Sequence, residues 1–301
     1  MTERGASRSA VLAWVAVVVI LVGVVGLVVY AFSHAATPAT VAQTARTSPA
    51  VLAAVSSVPQ ATFDEVGVTV PGAQLTPPEV LSGQPPLSSG GKPEVLAVGA
   101  EFCPFCAAER WPLVVALARF GRFSVLHDAT SSEQSVFPGT PSFSFAGVRY
   151  ASPYVAFTGV ELYSDQVGAD GTFIRIATLT PAQAALIARV AAGGGTSAGG
   201  TAPFVDVADR LVTTTSAFSP ALLAGQSQAQ IAGTVDSPAA PTAATGNASA
   251  TVAPPTGQAV VAAANQLSAG ICAADGQRPS AVCRSKGVRA ADVSLGLPVP
   301  D

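Results

Sequence analysis

The chain has 301 residues, of which 49% are hydrophobic and 11% charged, with a formal net charge of −3. This charge content is too low for a coiled coil, and a pI near 5.4 leaves no basic excess for a nucleic-acid partner. The length allows one or two domains, and a single long apolar run excludes a polytopic membrane protein.

Residues 1–9 read as a cytoplasmic tail carrying Arg4 and Arg8. Ala10 to Phe32 holds no charged residue. A helix over that stretch spans roughly 35 Å, enough to cross a bilayer. Positive charge before the run and none after it until Arg46 predict a cytoplasmic N-terminus. The expectation is a single-pass cell-membrane protein whose C-terminal domain is extracytoplasmic. A cleaved signal peptide is the rival, although its apolar region is normally ~7–15 residues. Either reading exports the rest of the chain.

Residues 33–60 are rich in Ala, Thr, Ser and Pro and read as a flexible stem. An ordered domain is expected over 61–285. Val66 to Val70 resembles a short strand, and Glu94 to Ala100 a buried one. A helix is expected from Cys103 to about Phe120, with Trp111, Val114, Val115 and Ala118 inward and Glu109 and Arg110 outward. Phe123 to His127 then reads as a second strand, parallel to the first. Strand-like pieces follow at Ser142–Phe145, Tyr154–Tyr163 and Phe173–Ile176. Thr180-Pro181 opens a helix. Pro203–Val207 and Leu211–Thr215 form a strand pair, residues 237–257 read as a disordered loop, and a last helix covers about 258–273. Residues 286–301 read as a C-terminal tail.

Cys103-Pro104-Phe105-Cys106 carries the chemistry. It lies between an apolar strand and an amphipathic helix, the context a redox CxxC requires. A Cys at a helix N-terminus meets unpaired N–H groups and the positive end of the macrodipole, which favour its thiolate. Cys103 is therefore the expected nucleophile and Cys106 the resolving thiol, the two closing to a Cys103–Cys106 disulfide. Pro104 fixes φ where a missing N–H costs little, and Phe105 completes the motif. A purely structural disulfide is one rival and a structural zinc site another. Zinc needs four ligands, commonly two CxxC-type pairs. Cys272 and Cys283 instead lie far along the chain with ten residues between them, and His34 and His127 are the only histidines; no metal and no bound cofactor are expected. Cys272 and Cys283 read as a structural disulfide closing a small loop, with a second redox pair as the alternative.

The stretch GKPEVLAVGAEFCPFCAAERW, Gly91 to Trp111, resembles the active-site strand and helix of thioredoxin-fold oxidoreductases, and CPFC is also found among glutaredoxins. With ALARFG, TPSFSF, PFVDV and ICAADGQRPSAVC, the chain over about 60–285 resembles a membrane-anchored thioredoxin-like family named for a domain of unknown function, 929. The resemblance implies an α/β, thioredoxin-like fold with an inserted β region at 139–178, preceded by the transmembrane helix. It also implies a cis-proline that presents backbone to the substrate. Pro203 is the favoured candidate for it and Pro141 the alternative. Many thioredoxins carry a buried Asp six residues before the first Cys. Here that position is Ala97, and Glu101 reads as a surface residue. The expected function is therefore extracytoplasmic thiol–disulfide exchange, as oxidase or isomerase rather than reductase. Its substrates would be the thiols and disulfides of exported proteins, and a membrane redox partner would recharge it. The alternative is a non-catalytic binding or scaffold module at the cell surface.

Overall fold

The computed structural model describes residues 45–192, 203–236 and 255–298. The expected anchor, residues 10–32, lies outside the described residues, as do most of the 237–257 loop and the start of the stem.

In chain order the first elements are helices α1 (Pro49–Ser56) and α2 (Gln60–Val66) and the short strands β1 (Glu79–Val80) and β2 (Ser88–Ser89). Strand β3 (Lys92–Gly99), helix α3 (Pro104–Ala118), and strands β4 (Arg122–Thr130) and β5 (Pro141–Ala151) follow. Next come β6 (Ala156–Glu161), β7 (Tyr163–Val167), β8 (Phe173–Arg175) and helix α4 (Pro181–Ala192). The chain continues through β9 (Phe204–Val207), β10 (Leu211–Thr213), α5 (Gln228–Asp236), α6 (Thr256–Asp275), α7 (Ser280–Cys283) and α8 (Lys286–Leu295).

Local chemistry explains several of these starts. Ser48 precedes Pro49, and its Oγ accepts from the N–H of Val51 at 3.3 Å, so part of the expected stem is helical. Residues 286–295 of the expected tail also form a helix. At α4, Thr180 Oγ1 accepts from the Gln183 N–H at 3.2 Å. Gln183 Oε1 accepts in return from the Thr180 N–H at 2.9 Å, a reciprocal capping box.

The central sheet runs β1-β10-β9-β3-β2, with β6 also paired to β3. β3 pairs antiparallel with β9 and parallel with β6, Glu94 opposite Ala156 through Gly99 opposite Glu161. Alternate residues of β3 enter different cores. Val95 and Ala97 pack with Trp111 and Val114 of α3 and with α6. Leu96 and Val98 pack with Leu186, Ile187 and Val190 of α4. A strand covered on both faces reads as a continuous apolar run, and each Leu or Val so buried contributes about 1.5–3 kcal/mol.

The mixed α/β class agrees with the expectation, but the rest of the expected fold is corrected. β4 was to pair in parallel with β3, but it pairs antiparallel with β5 in a separate two-stranded sheet. The parallel partner of β3 is β6, which lies within 139–178. That region therefore supplies a strand of the central sheet, paired along β3, and is not the separate insertion expected. Val66–Val70, expected as a strand, begins in α2 and continues in a turn. The membrane assignment is corrected as well. Among the described residues no helix is long and apolar enough to cross a membrane. The longest, α6, carries Asn265, Gln266 and Ser268 inside the protein. The single-pass, cell-membrane placement has no described helix to rest on.

Candidate functional site

The cysteine pair sits where β3 hands the chain to α3. Gly99 ends the strand, and Cys103 is the residue that caps the helix, with φ −84° and ψ 119°. Its Sγ accepts from the backbone N–H of Cys106 at 3.3 Å. Pro104 takes the first helical position, where the absent N–H is harmless. Two backbone bonds fix the approach: Glu101 N–H donates to the Tyr163 carbonyl and Ser132 N–H to that of Phe102, both at 2.9 Å.

Both sulfurs stand as thiols and both side chains are buried. Their environments push them apart. The hydrogen bond from the Cys106 thiol, backbone N–H groups at the helix start and the nearby Arg110 charge hold Cys103 down to about 7 against the opposing effect of burial. Burial and the neighbouring Cys103 push Cys106 well above the ordinary thiol value. One nucleophilic and one protonated sulfur in a single turn is the division of labour that exchange chemistry needs.

Cys103 opens on a cleft of about 290 Å³ lined by Phe102, Phe105, Ser132, Gln134, Val136 and Phe173 among others. Phe102 stacks on Phe173 with centroids 4.0 Å apart, and Phe105 meets Phe137 edge-on at 5.9 Å. Val136, 76% exposed, stands on the rim. The walls are apolar, with hydroxyl and amide groups from Ser132, Gln134 and Ser135 and no charged side chain among the described residues that line the cleft.

Behind the pair lies a buried charge network. Arg110 donates from Nε to Glu161 Oε1 at 2.9 Å, from Nη2 to Glu161 Oε2 at 2.5 Å and from Nη2 to the Ala100 carbonyl at 2.8 Å. Glu101 is 2% exposed and accepts from the Ser144 hydroxyl. Desolvation raises its carboxyl. Glu109, 2% exposed, accepts from the Ala217 N–H at 2.7 Å through Oε2, and burial pushes it up to about 8. The expectation that Glu109, Arg110 and Glu101 face solvent is therefore corrected. A signal for the first two was present: they follow Cys106 by three and four residues and share its helix face.

The proline candidates separate. Pro203 lines a void of about 10 Å³ together with Cys106, Gly99 and Arg110. Its preceding bond begins at Ala202, outside the described residues. Pro141 follows a trans bond, the cis bond among the described residues being Arg278–Pro279. Its carbonyl accepts from Trp111 Nε1 at 2.9 Å, and it does not line the Cys103 cleft. Cys272 and Cys283 form a disulfide joining α6 to α7. Among the described residues no group of three or more His, Cys, Asp or Glu is placed to hold a metal.

No curated protein and no solved structure matches this chain. The segment that holds Cys103, Cys106, Arg110 and Glu161, residues 80–180, matches the family described as a domain of unknown function, DUF929.

Proposed function

We propose that the protein carries out thiol–disulfide exchange with other proteins through Cys103 and Cys106. The observation that supports this reading is the asymmetry of the pair at the start of α3, with Cys103 held near 7 and Cys106 pushed up behind it. In the reducing direction the Cys103 thiolate attacks a substrate disulfide, bonding to one sulfur and releasing the other as a thiolate. Cys106 loses its proton and attacks Cys103 Sγ, releasing the second substrate thiolate and closing the Cys103–Cys106 bond. The substrate disulfide gains two electrons and the pair loses them. Donation of a disulfide is the same path reversed, and a partner dithiol or disulfide resets the pair.

Ala97 argued against reductase chemistry because a buried acid is missing there. Glu109 is buried and lines the void beside Cys106, so a buried acid is present after all and the reduction potential decides the direction. A value near −120 mV marks a disulfide donor and one near −270 mV a reductant.

The rival reading is a non-catalytic binding module, and one observation favours it: Cys103 is 1% exposed, at the floor of its cleft. Replacement of Cys106 by Ser separates the two. Exchange predicts a mixed disulfide on Cys103 that accumulates with protein substrates and dissolves in dithiothreitol. Absence of any such adduct supports the binding module.

A further inference from the structure

We propose that Arg110 stabilises the Cys106 thiolate during resolution of the mixed disulfide and that Glu109 receives the Cys106 proton. The inference rests on the exchange reading above and names the groups that make its second step possible.

Cys106 must ionise to attack Cys103, yet it is 2% exposed. A buried anion needs a partner charge or a donor. The Cys106 side chain and Arg110 Nη2 converge on Gly99: a Cβ placed there would lie 3.3 Å from Cys106 Sγ and 3.4 Å from Nη2. On the same side is the void of about 10 Å³, lined by Cys106, Glu109, Arg110, Glu161 and Pro203 among others. Two polar atoms of the lining residues, Arg110 Nη1 and Glu109 Oε1, are buried with no hydrogen-bond partner among the described residues. Native interiors seldom leave such groups open unless a function or a water uses them, and the void is about the size of one water.

The remaining charges suit this role. Glu161 neutralises the Nε and Nη2 edge of Arg110 and leaves Nη1 for another acceptor. Glu101 engages Ser144 through Oε1, and its Oε2, although it too has no hydrogen-bond partner among the described residues, does not line the void. In the resolving step the Cys106 S–H proton passes to the Glu109 carboxylate. The thiolate, facing the guanidinium, attacks Cys103 Sγ. The Cys103–Cys106 bond forms, the bond from Cys103 to the substrate sulfur breaks, and the electron pair leaves on that sulfur. Because burial pushes Glu109 up to about 8, the fraction able to take the proton grows as pH rises toward that value.

The test is rapid mixing of the reduced full chain with 5,5′-dithiobis(2-nitrobenzoate). The first thionitrobenzoate release reports attack by Cys103 and the second reports resolution by Cys106. Replacing the ion pair together, as Arg110→Met with Glu161→Gln, removes the guanidinium without stranding its partner. The second phase is expected to slow about 10–100-fold, the worth of a hydrogen bond to a charged group, and the first phase much less. Arg110→Lys, which keeps the charge, is expected to retain most of the rate. Glu109→Gln is expected to flatten the rise of the second phase between pH 6 and 8. A second phase with unaltered rate in the folded double variant, or with unaltered pH dependence in Glu109→Gln, overturns the proposal while leaving exchange standing. Failure of the wild-type chain to form the Cys103 adduct overturns the exchange reading and this inference with it.

Discussion

Arg110 and Glu161 form a two-pronged ion pair inside the protein, at 2.9 and 2.5 Å, with side chains only 4% and 1% exposed. A buried pair is weak evidence for stability, but removing one partner strands the other. Arg110→Met alone and Glu161→Gln alone are each expected to cost about 3–5 kcal/mol in urea unfolding. The double variant is expected to recover most of that loss. Additive losses would show that the two charges do not depend on each other.

Gly99 allows the resolving cysteine to lie against β3. An added methyl would meet Cys106 Sγ at 3.3 Å and Cys106 Cβ and Arg110 Nη2 at 3.4 Å. Gly99→Ala is therefore expected to shift the pair while the fold survives. It should cost about 1–3 kcal/mol as overpacking, and it should change the Cys103–Cys106 reduction potential. An unchanged potential would mean that the sulfur moves freely around the added methyl.

The Cys272–Cys283 bridge closes a short loop, eleven residues apart in sequence, between α6 and α7. Removing it as Cys272→Ala with Cys283→Ala is expected to cost about 2–4 kcal/mol in unfolding free energy. Thionitrobenzoate release from Cys103 should be unaffected. A changed exchange rate at Cys103 in the folded variant would make the second bridge a redox partner of the first pair.

Burial raises Glu109 to about 8 and Asp206 to about 7. Their native forms keep protons that the unfolded chain, with carboxyls near ~4, has already lost. The unfolded state binds fewer protons in this window, so stability falls as pH rises through it. Unfolding free energy is expected to be larger at pH 5 than at pH 7, a range below the window in which Cys103 contributes with the opposite sign. Glu109→Gln should reduce the difference. Equal stability at the two pH values would contradict the assigned burial of these acids.

The sequence carried the local part of the site and missed its surroundings. A CxxC between an apolar run and a helix is legible because its requirements are contiguous, and β3 and α3 lie within a few residues of where periodicity puts them. Ser48-Pro49 was an equally local helix start, obscured by the Ala/Thr/Pro composition around it. Strand pairing is not local. Nothing in Phe123–His127 distinguishes a parallel neighbour of β3 from the antiparallel partner of β5 that β4 becomes. The charges were misread for the same reason. Glu109 and Arg110 look like the solvated face of a helix until Ala217 and Glu161, far along the chain, arrive as their buried partners.

In the proposed exchange the helix terminus and the neighbouring thiol make Cys103 the nucleophile. The measurement that tests it most directly is the pH dependence of iodoacetamide alkylation of the reduced full chain, with the modified cysteine located by mass spectrometry. Cys103 is expected to be modified with a midpoint at about 7, and Cys106 to resist modification over the same range. A Cys103 midpoint near the ordinary ~8.5, or earlier modification of Cys106, would contradict that assignment.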